Sequence, residues 1–153
     1  MSRRPLRLPP VAVTVMFAGV MWFVSSATPT VAVPLSIRAA TALVLAVVGG
    51  VIAVMAVRGF RRAHTSVNPM DLGRTEALVT DGVFRFSRNP MYVAMLFLLL
   101  AFSCWLSSPV SLVAALVFVP AINRLQIVPE ERALSRQFGA SYLTYCKTVR
   151  RWI

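Results

Sequence analysis

Four long apolar runs, separated by stretches that carry nearly all of the charge, limit this chain more than any other feature. They cover residues 11–27, 39–57, 91–106 and 110 to about 128. A helix needs roughly 20 residues, with about 17 to 25 usual, to cross the hydrocarbon of a bilayer. The first two runs meet that length. The third is short, and the fourth reaches Asn123 and Arg124 after Ile122. Both can span if Tyr92 and Trp105 sit in the interfaces and Arg124 snorkels to the headgroups. Ser107-Ser108-Pro109 joins these two runs so tightly that they must fold back as an antiparallel hairpin, and Pro90 and Pro109 each suit a first helical turn. The expected fold is all-α: a polytopic membrane protein of about four transmembrane helices, the last two a tight hairpin, with a cytoplasmic loop and amphipathic C-terminal helices. A single domain over 1–153 is expected, with two N-terminal helices in 1–57 and the remaining parts in 58–153.

The net charge of +11 would suggest nucleic acid on a soluble protein. With 58% hydrophobic and 14% charged residues it reads instead as membrane anchoring, with no nucleic-acid partner. Three Lys or Arg precede the first run, six lie in 58–90 and six in 124–151, leaving only Arg38 for the other side. The positive-inside rule therefore places both termini and the middle loop in the cytoplasm, with the bacterial inner membrane the expected location. Met1-Ser2-Arg3-Arg4 resembles the start of a signal peptide, but the apolar stretch behind it exceeds a usual signal core and is expected to be kept as a helix.

Several chemistries have little to work with. His64 is the single histidine, and Cys104 and Cys146 lack partners at metal-ligand spacing, so no metal is expected. No Asp, Glu, Lys, Arg or His falls inside the strictly apolar stretches, the fourth counted from Val110 to Ile122, which disfavours a small transporter, since ion and proton paths usually need such groups in the bilayer. Gly49-Gly50 suits close helix packing. The polar residues converge at the cytoplasmic end instead. The 58–90 loop contains turn signals at Asn68-Pro69 and Asp81-Gly82 around Ala77-Leu78-Val79. In the tail, Pro129 suits a helix's first turn, Glu130 and Glu131 suit its N-terminal dipole, and Gly139 suits a C-terminal cap. Leu134 with Phe138, then Tyr142, Tyr145, Cys146 and Val149, fall at helical spacing, so a pair of amphipathic helices is expected at the membrane surface.

Leu78-Val79-Thr80-Asp81-Gly82-Val83-Phe84, then Arg88-Asn89-Pro90-Met91-Tyr92, Glu130-Glu131, Phe138-Gly139 and Tyr142 with Tyr145 occur in that order around the hairpin. Together they resemble the isoprenylcysteine carboxyl methyltransferase and phospholipid methyltransferase superfamily, over roughly residues 65–152. The resemblance implies an integral membrane enzyme that binds S-adenosylmethionine in a pocket of loop, hairpin base and tail. It implies backbone contacts from Leu78 and Val79, an aromatic wall at Phe84, a cofactor loop of Asn89, Pro90, Met91 and Tyr92, and an acidic partner in Glu130. The implied acceptor is a lipophilic small molecule, a lipid or a lipidated substrate, reacting through a carboxylate, amine or thiol. A non-catalytic membrane subunit that keeps the fold is the alternative.

Departures from the family pattern bear on the acceptor. Asn89 stands where the eukaryotic carboxyl methyltransferases have histidine, and Ala94 where glycine is usual. Gln126 stands where the resemblance implies a substrate-facing arginine. Arg124 is the nearest replacement, but two residues place it about 200° around an α-helix, so it reaches the same face only if the helix end is distorted.

The distribution of basic residues makes a topology prediction. A reporter fused after Ile153 should be cytoplasmic and one inserted near Ser108 should lie outside, as read by paired alkaline phosphatase and green fluorescent protein fusions. Reversed signals at either point would refute the four-crossing arrangement.

Overall fold

A computed structural model describes residues 9–63 and 78–153. His64, the Asn68-Pro69 turn signal and the arginines before Leu8 lie outside the described residues. The described chain is helical: α1 (Pro10–Ala27), α2 (Leu35–Arg62), a short 3-10 helix (Gly82–Arg85), α3 (Pro90–Leu106), α4 (Pro109–Ile122), a π turn (Asn123–Ile127) and α5 (Val128–Thr148). Prolines enter the first turns of α1, α3 and α4, where a missing N–H costs nothing, and Pro129 stands near the start of α5.

α3 is the central element. α2 runs along one side of it in the most extensive helix contact of the fold, and α1 and α4 close the other side. The core between α1, α3 and α4 is built from Val13, Met21, Leu99, Phe118 and Ile122, with Phe17 edge-on to Phe118 at 5.4 Å. The outer faces are the reverse of a soluble protein. Trp22 and Phe23 on α1 and Leu43, Val44 and Val47 on α2 are exposed, which is stable only against lipid. Three helical stretches are long and apolar enough to cross a membrane, beginning at Pro10, Leu35 and Pro109, and the 17-residue α3 lies among them. The chain is thus a polytopic helical membrane protein.

The hairpin expected at Ser107-Ser108-Pro109 forms in the minimum length. Ser107 adopts the left-handed conformation (φ 54°) and its N–H bonds back to Ser103 O at 3.0 Å, ending α3. Ser108 caps α4 by accepting from the Ser111 N–H, and the buried Ser111 hydroxyl donates to Ser108 O at 2.8 Å.

Beyond α4 the expectation of a fresh helix starting at Pro129 needs correction. The chain does not break. It widens into the π turn, with the Val128 N–H bonded to Asn123 O, and continues directly into α5. Pro129 supplies the reason, because in an unbroken α-helix its ring would collide with the Leu125 carbonyl four residues back. A five-residue bond ring inserts one extra residue, turning everything that follows by about 100° relative to α4. Gly139 (φ 50°, ψ −122°) then kinks α5 into two pieces. The tail pair anticipated from the sequence exists, with the glycine as the joint.

Gly49 is where α2 and α3 come closest. A Cβ there would stand 3.0 Å from both Ala94 O and Phe97 Cβ, whereas one on Gly50 would meet nothing within 4 Å. Small residues let membrane helices gain contact area that apolar matching alone does not provide. Gly49→Ala should therefore force the helices apart and cost about 1 to 3 kcal/mol, while Gly50→Ala should be neutral or slightly stabilising. Thermal melting of both variants in detergent checks the contrast, and equal melting temperatures would remove Gly49 as the packing contact.

Candidate functional site

The polar residues gather where the first turn of α3, the π turn, α5 and the C-terminal strap (residues 149–153) meet. Glu131, on the first turn of α5, is the hub. Its carboxylate accepts two bonds from Arg151, from Nε at 3.0 Å and Nη2 at 2.6 Å. It also pairs with Arg88 Nη2 at 3.3 Å. The Arg88 and Glu131 side chains are only 14% and 17% exposed, so this pairing is shielded from water. The bond to Glu131 raises the Arg151 pKa.

Around this hub the strap behind α5 is laced to the loop before α3. Arg88 N–H donates to Arg150 O at 3.0 Å, and Asn89 Nδ2 donates to Arg151 O at 2.9 Å. Trp152 Nε1 donates to Asn123 Oδ1 in the π turn at 3.1 Å. Arg88 Nη1 also contacts the Cys146 sulfur. Each bond joins residues distant in sequence, so the loop is positioned only when the tail is docked.

Glu130 faces a different partner from Glu131. It accepts a 2.6 Å bond from the hydroxyl of Tyr92, which is buried on the first turn of α3. This bond connects the two motifs that the sequence analysis placed at the cofactor, across 38 residues of chain. Pro90 starts α3 and Met91 lies half-buried beside Tyr92. Asn89 occupies the N-cap position of α3 without capping it, because its amide is turned to the strap. Its side chain is thus a positioning contact.

The aromatic wall is assembled from both sides. Phe84 is buried against Phe60 of α2 (ring centres 5.0 Å apart) and above Gly59, whose missing side chain makes the room. The Tyr145 hydroxyl donates to Phe84 O at 2.6 Å, fixing the 3-10 helix to the tail. Leu78 packs with Tyr142, Tyr145 and Val149, and Val79 reaches towards Gly59. Burial pushes the Tyr145 hydroxyl up to about 12. It also raises that of Tyr142 well above the ordinary phenol range, with the Glu131 charge adding to the effect. Both therefore remain neutral donors throughout physiological pH.

Of the two residues offered for the substrate-facing place, the fold separates one from the other. Gln126 is 4% exposed, while Arg124 lies on the exposed face of the π turn. The distortion that might have swung Arg124 inward is present, and it leaves the glutamine inside.

Leu78, Val79, Phe84, Pro90, Met91, Tyr92, Gln126 and Glu130 are thus collected at one end of the bundle. Sequence reasoning gave no role to Arg88, Glu131 as an ion-pair hub, Arg151 or the Trp152–Asn123 bond. The usable signal was charge: Arg88 opens the Asn-Pro-Met-Tyr run, and a second acid follows Glu130. Among the described residues no group of three or more His, Cys, Asp or Glu is placed to hold a metal.

A helical membrane bundle with a shielded polar site at one end, walled by aromatics and tied together by a carboxylate between two guanidinium groups, defines the class of protein. Residues 37–141 match the family described as phospholipid methyltransferase, and the chain belongs to that family of membrane methyltransferases. Among its relatives, Protein-S-isoprenylcysteine O-methyltransferase A of Arabidopsis thaliana is 33% identical over 107 residues, 70% of this chain and 54% of that protein. An uncharacterized protein of Haemophilus influenzae is 38% identical over 63 residues, 41% of this chain and all of that one. The chain thus spans about half the length of the plant relative and the whole of the bacterial one. No solved structure matches it.

The hub predicts a separation between neighbouring acids. Glu131→Gln removes the charge that two guanidinium groups share, and a hydrogen bond to a charged group contributes about 1.5 to 3 kcal/mol. It should lower the melting temperature in detergent clearly more than Glu130→Gln, whose bond to Tyr92 can be kept by an amide oxygen. Equal melting of the two variants would show that the strap does not depend on Glu131.

Proposed function

We propose that this protein transfers the methyl group of S-adenosylmethionine to a lipophilic or amphipathic acceptor at the cytoplasmic face of the membrane. The observation that carries this reading is the Tyr92–Glu130 bond, which brings the Asn-Pro-Met-Tyr loop and the Glu-Glu helix start into one site. Family membership and the likeness to an isoprenylcysteine methyltransferase support the same reading.

The residues present suit that cofactor chemically. Arg88 Nε is buried without a hydrogen-bond partner, and such an N–H favours a carboxylate. Glu130 supplies a carboxylate for an ammonium or for ribose hydroxyls, and Phe84 and Tyr142 supply aromatic surface that accepts a cation or a ring. Arg88, Tyr92 and Glu130 are therefore the residues that would hold the cofactor, with Leu78, Val79, Pro90 and Met91 contributing walls and backbone. When bound, S-adenosylmethionine supplies an electrophilic methyl on a sulfonium, so the protein has only to align a nucleophile and exclude water.

Both tasks fall to residues of this chain. In this reading the soluble donor approaches from the side of the strap and α5, and the amphipathic acceptor from the side of α3 and α4. Buried Gln126 at the π turn faces the acceptor in this reading. It offers a neutral amide, which can orient a carboxylate, amine or thiol by hydrogen bonding without neutralising a charge. Arg124, on the outer face of the same turn, anchors in the headgroups.

Removing the Glu130 charge tests the assignment. A charge-assisted hydrogen bond is worth about 1.5 to 3 kcal/mol, a change of roughly tenfold to over a hundredfold in affinity. Glu130→Gln should weaken S-adenosylmethionine binding by at least about tenfold in calorimetric titration, in a protein that melts close to wild type. Unchanged affinity in a folded variant would reduce Glu130 to a helix-end charge.

A further inference from the structure

At the end of the bundle remote from this site, a cavity of about 310 Å³ lies between the α1–α2 connection, the first turns of α2 and the α3–α4 turn. Val31, Val33, Ile37 and Leu112 give it apolar walls, and Arg38 is the charged residue lining it. Cys104, in its floor, stands twelve residues along α3 from Tyr92, about 18 Å away, so the cavity is separate from the methyl-transfer site.

We propose that this cavity binds an anionic phospholipid, with the phosphate at Arg38 and an acyl chain against the apolar walls. Three observations point to that occupant. Arg38 is held ready: its Nε donates to Trp105 O at 3.1 Å, Nη2 donates to the same oxygen, and the guanidinium lies 5.8 Å from the Trp105 ring centre. Those two bonds use two of its five N–H donors, and neither ion pair among the described residues involves it. Its charge is therefore uncompensated by an ion pair among the described residues, at an end of the bundle where the charge distribution of the sequence expects no other Lys or Arg.

The second observation is depth. Trp105 is half-exposed at the end of α3, where an indole marks the boundary between hydrocarbon and headgroups. A guanidinium fixed beside it lies at the level of lipid phosphates. The third is the lining. Ile37 and Leu112 are each more than 40% exposed on the rim, at 56% and 44%, so the cavity opens sideways to the bilayer. A soluble phosphate would leave these walls against water, and a zwitterionic lipid would bring its own cation to Arg38. An anionic diacyl lipid satisfies both parts. Bound there, it would tie the start of α2 and the connection before it to the α3–α4 end, where Arg38 bonds Trp105 O and Val31 N–H bonds Ser107 O at 2.8 Å.

Photocrosslinking locates the lipid without interference from the basic residues at the opposite end. The full chain in nanodiscs is irradiated with phosphatidylglycerol carrying a diazirine on one acyl chain, and labelled peptides are mapped by mass spectrometry. Labelling is expected at Ile37 and Leu112. Excess phosphatidylglycerol should compete it away, whereas phosphatidylcholine and free glycerol phosphate should not, and Arg38→Gln should reduce it at least tenfold. Equal competition by phosphatidylcholine would make this an unselective apolar crevice and overturn the proposal, as would wild-type labelling of Arg38→Gln. Should that variant fail to fold, the competition between the two lipids on wild-type protein decides alone. S-adenosylmethionine binding by Arg38→Gln should remain unchanged.

Discussion

The shared carboxylate of Glu131 is the interaction on which the polar end of this protein depends. Two guanidinium groups, from the loop before α3 and from the strap after α5, converge on it, Glu131 and Arg88 largely shielded from water and Arg151 partly exposed. An isolated acid in that position would be costly to bury, and so would Arg88. Paired, they hold three remote segments in a single arrangement, and the neighbouring bonds Asn89–Arg151 and Trp152–Asn123 become possible as a result. Glu130 is then presented to Tyr92. Adjacent acids thus face different partners, Glu131 the two arginines and Glu130 the tyrosine.

The bilayer sets the remaining terms. Hydrocarbon offers no partner to a backbone N–H or carbonyl, so the spanning parts must be helical and their ends must be capped locally. That is why the serines of the α3–α4 turn bond among themselves and why prolines stand in the first turns of α1, α3 and α4 and near the start of α5, Pro120 inside α4 being an exception. Pro129 is the telling case. Its collision with the preceding turn is relieved by one extra residue, and the same residue turns α5 so that Glu130 and Glu131 meet α3 and the strap. A local steric demand thereby fixes the geometry of the site.

Much of this was legible in the sequence because periodicity and hydropathy are local properties. The apolar runs, the two-serine hairpin, the tail faces of Leu134, Phe138, Tyr142 and Tyr145, and the joint at Gly139 can each be read from a short window. The motif order around the hairpin pointed to the family that the comparison over residues 37–141 then established. Less legible was the junction at Asn123–Ile127, where Pro129 read as a helix start. A proline marks where a regular helix must change, but whether the chain breaks or widens depends on what the next turn packs against.

By itself, then, the sequence determined that this chain is a bundle of membrane helices with its polar chemistry at one end, because length, apolarity and charge asymmetry act residue by residue. Tertiary structure alone decided which of two adjacent acids joins the ion pairs, that Gln126 rather than Arg124 turns inward, and that Gly49 rather than Gly50 receives α3. Each of those choices turns on the rotation of one helix against another, a quantity summed over every packed neighbour. No short stretch of sequence contains it.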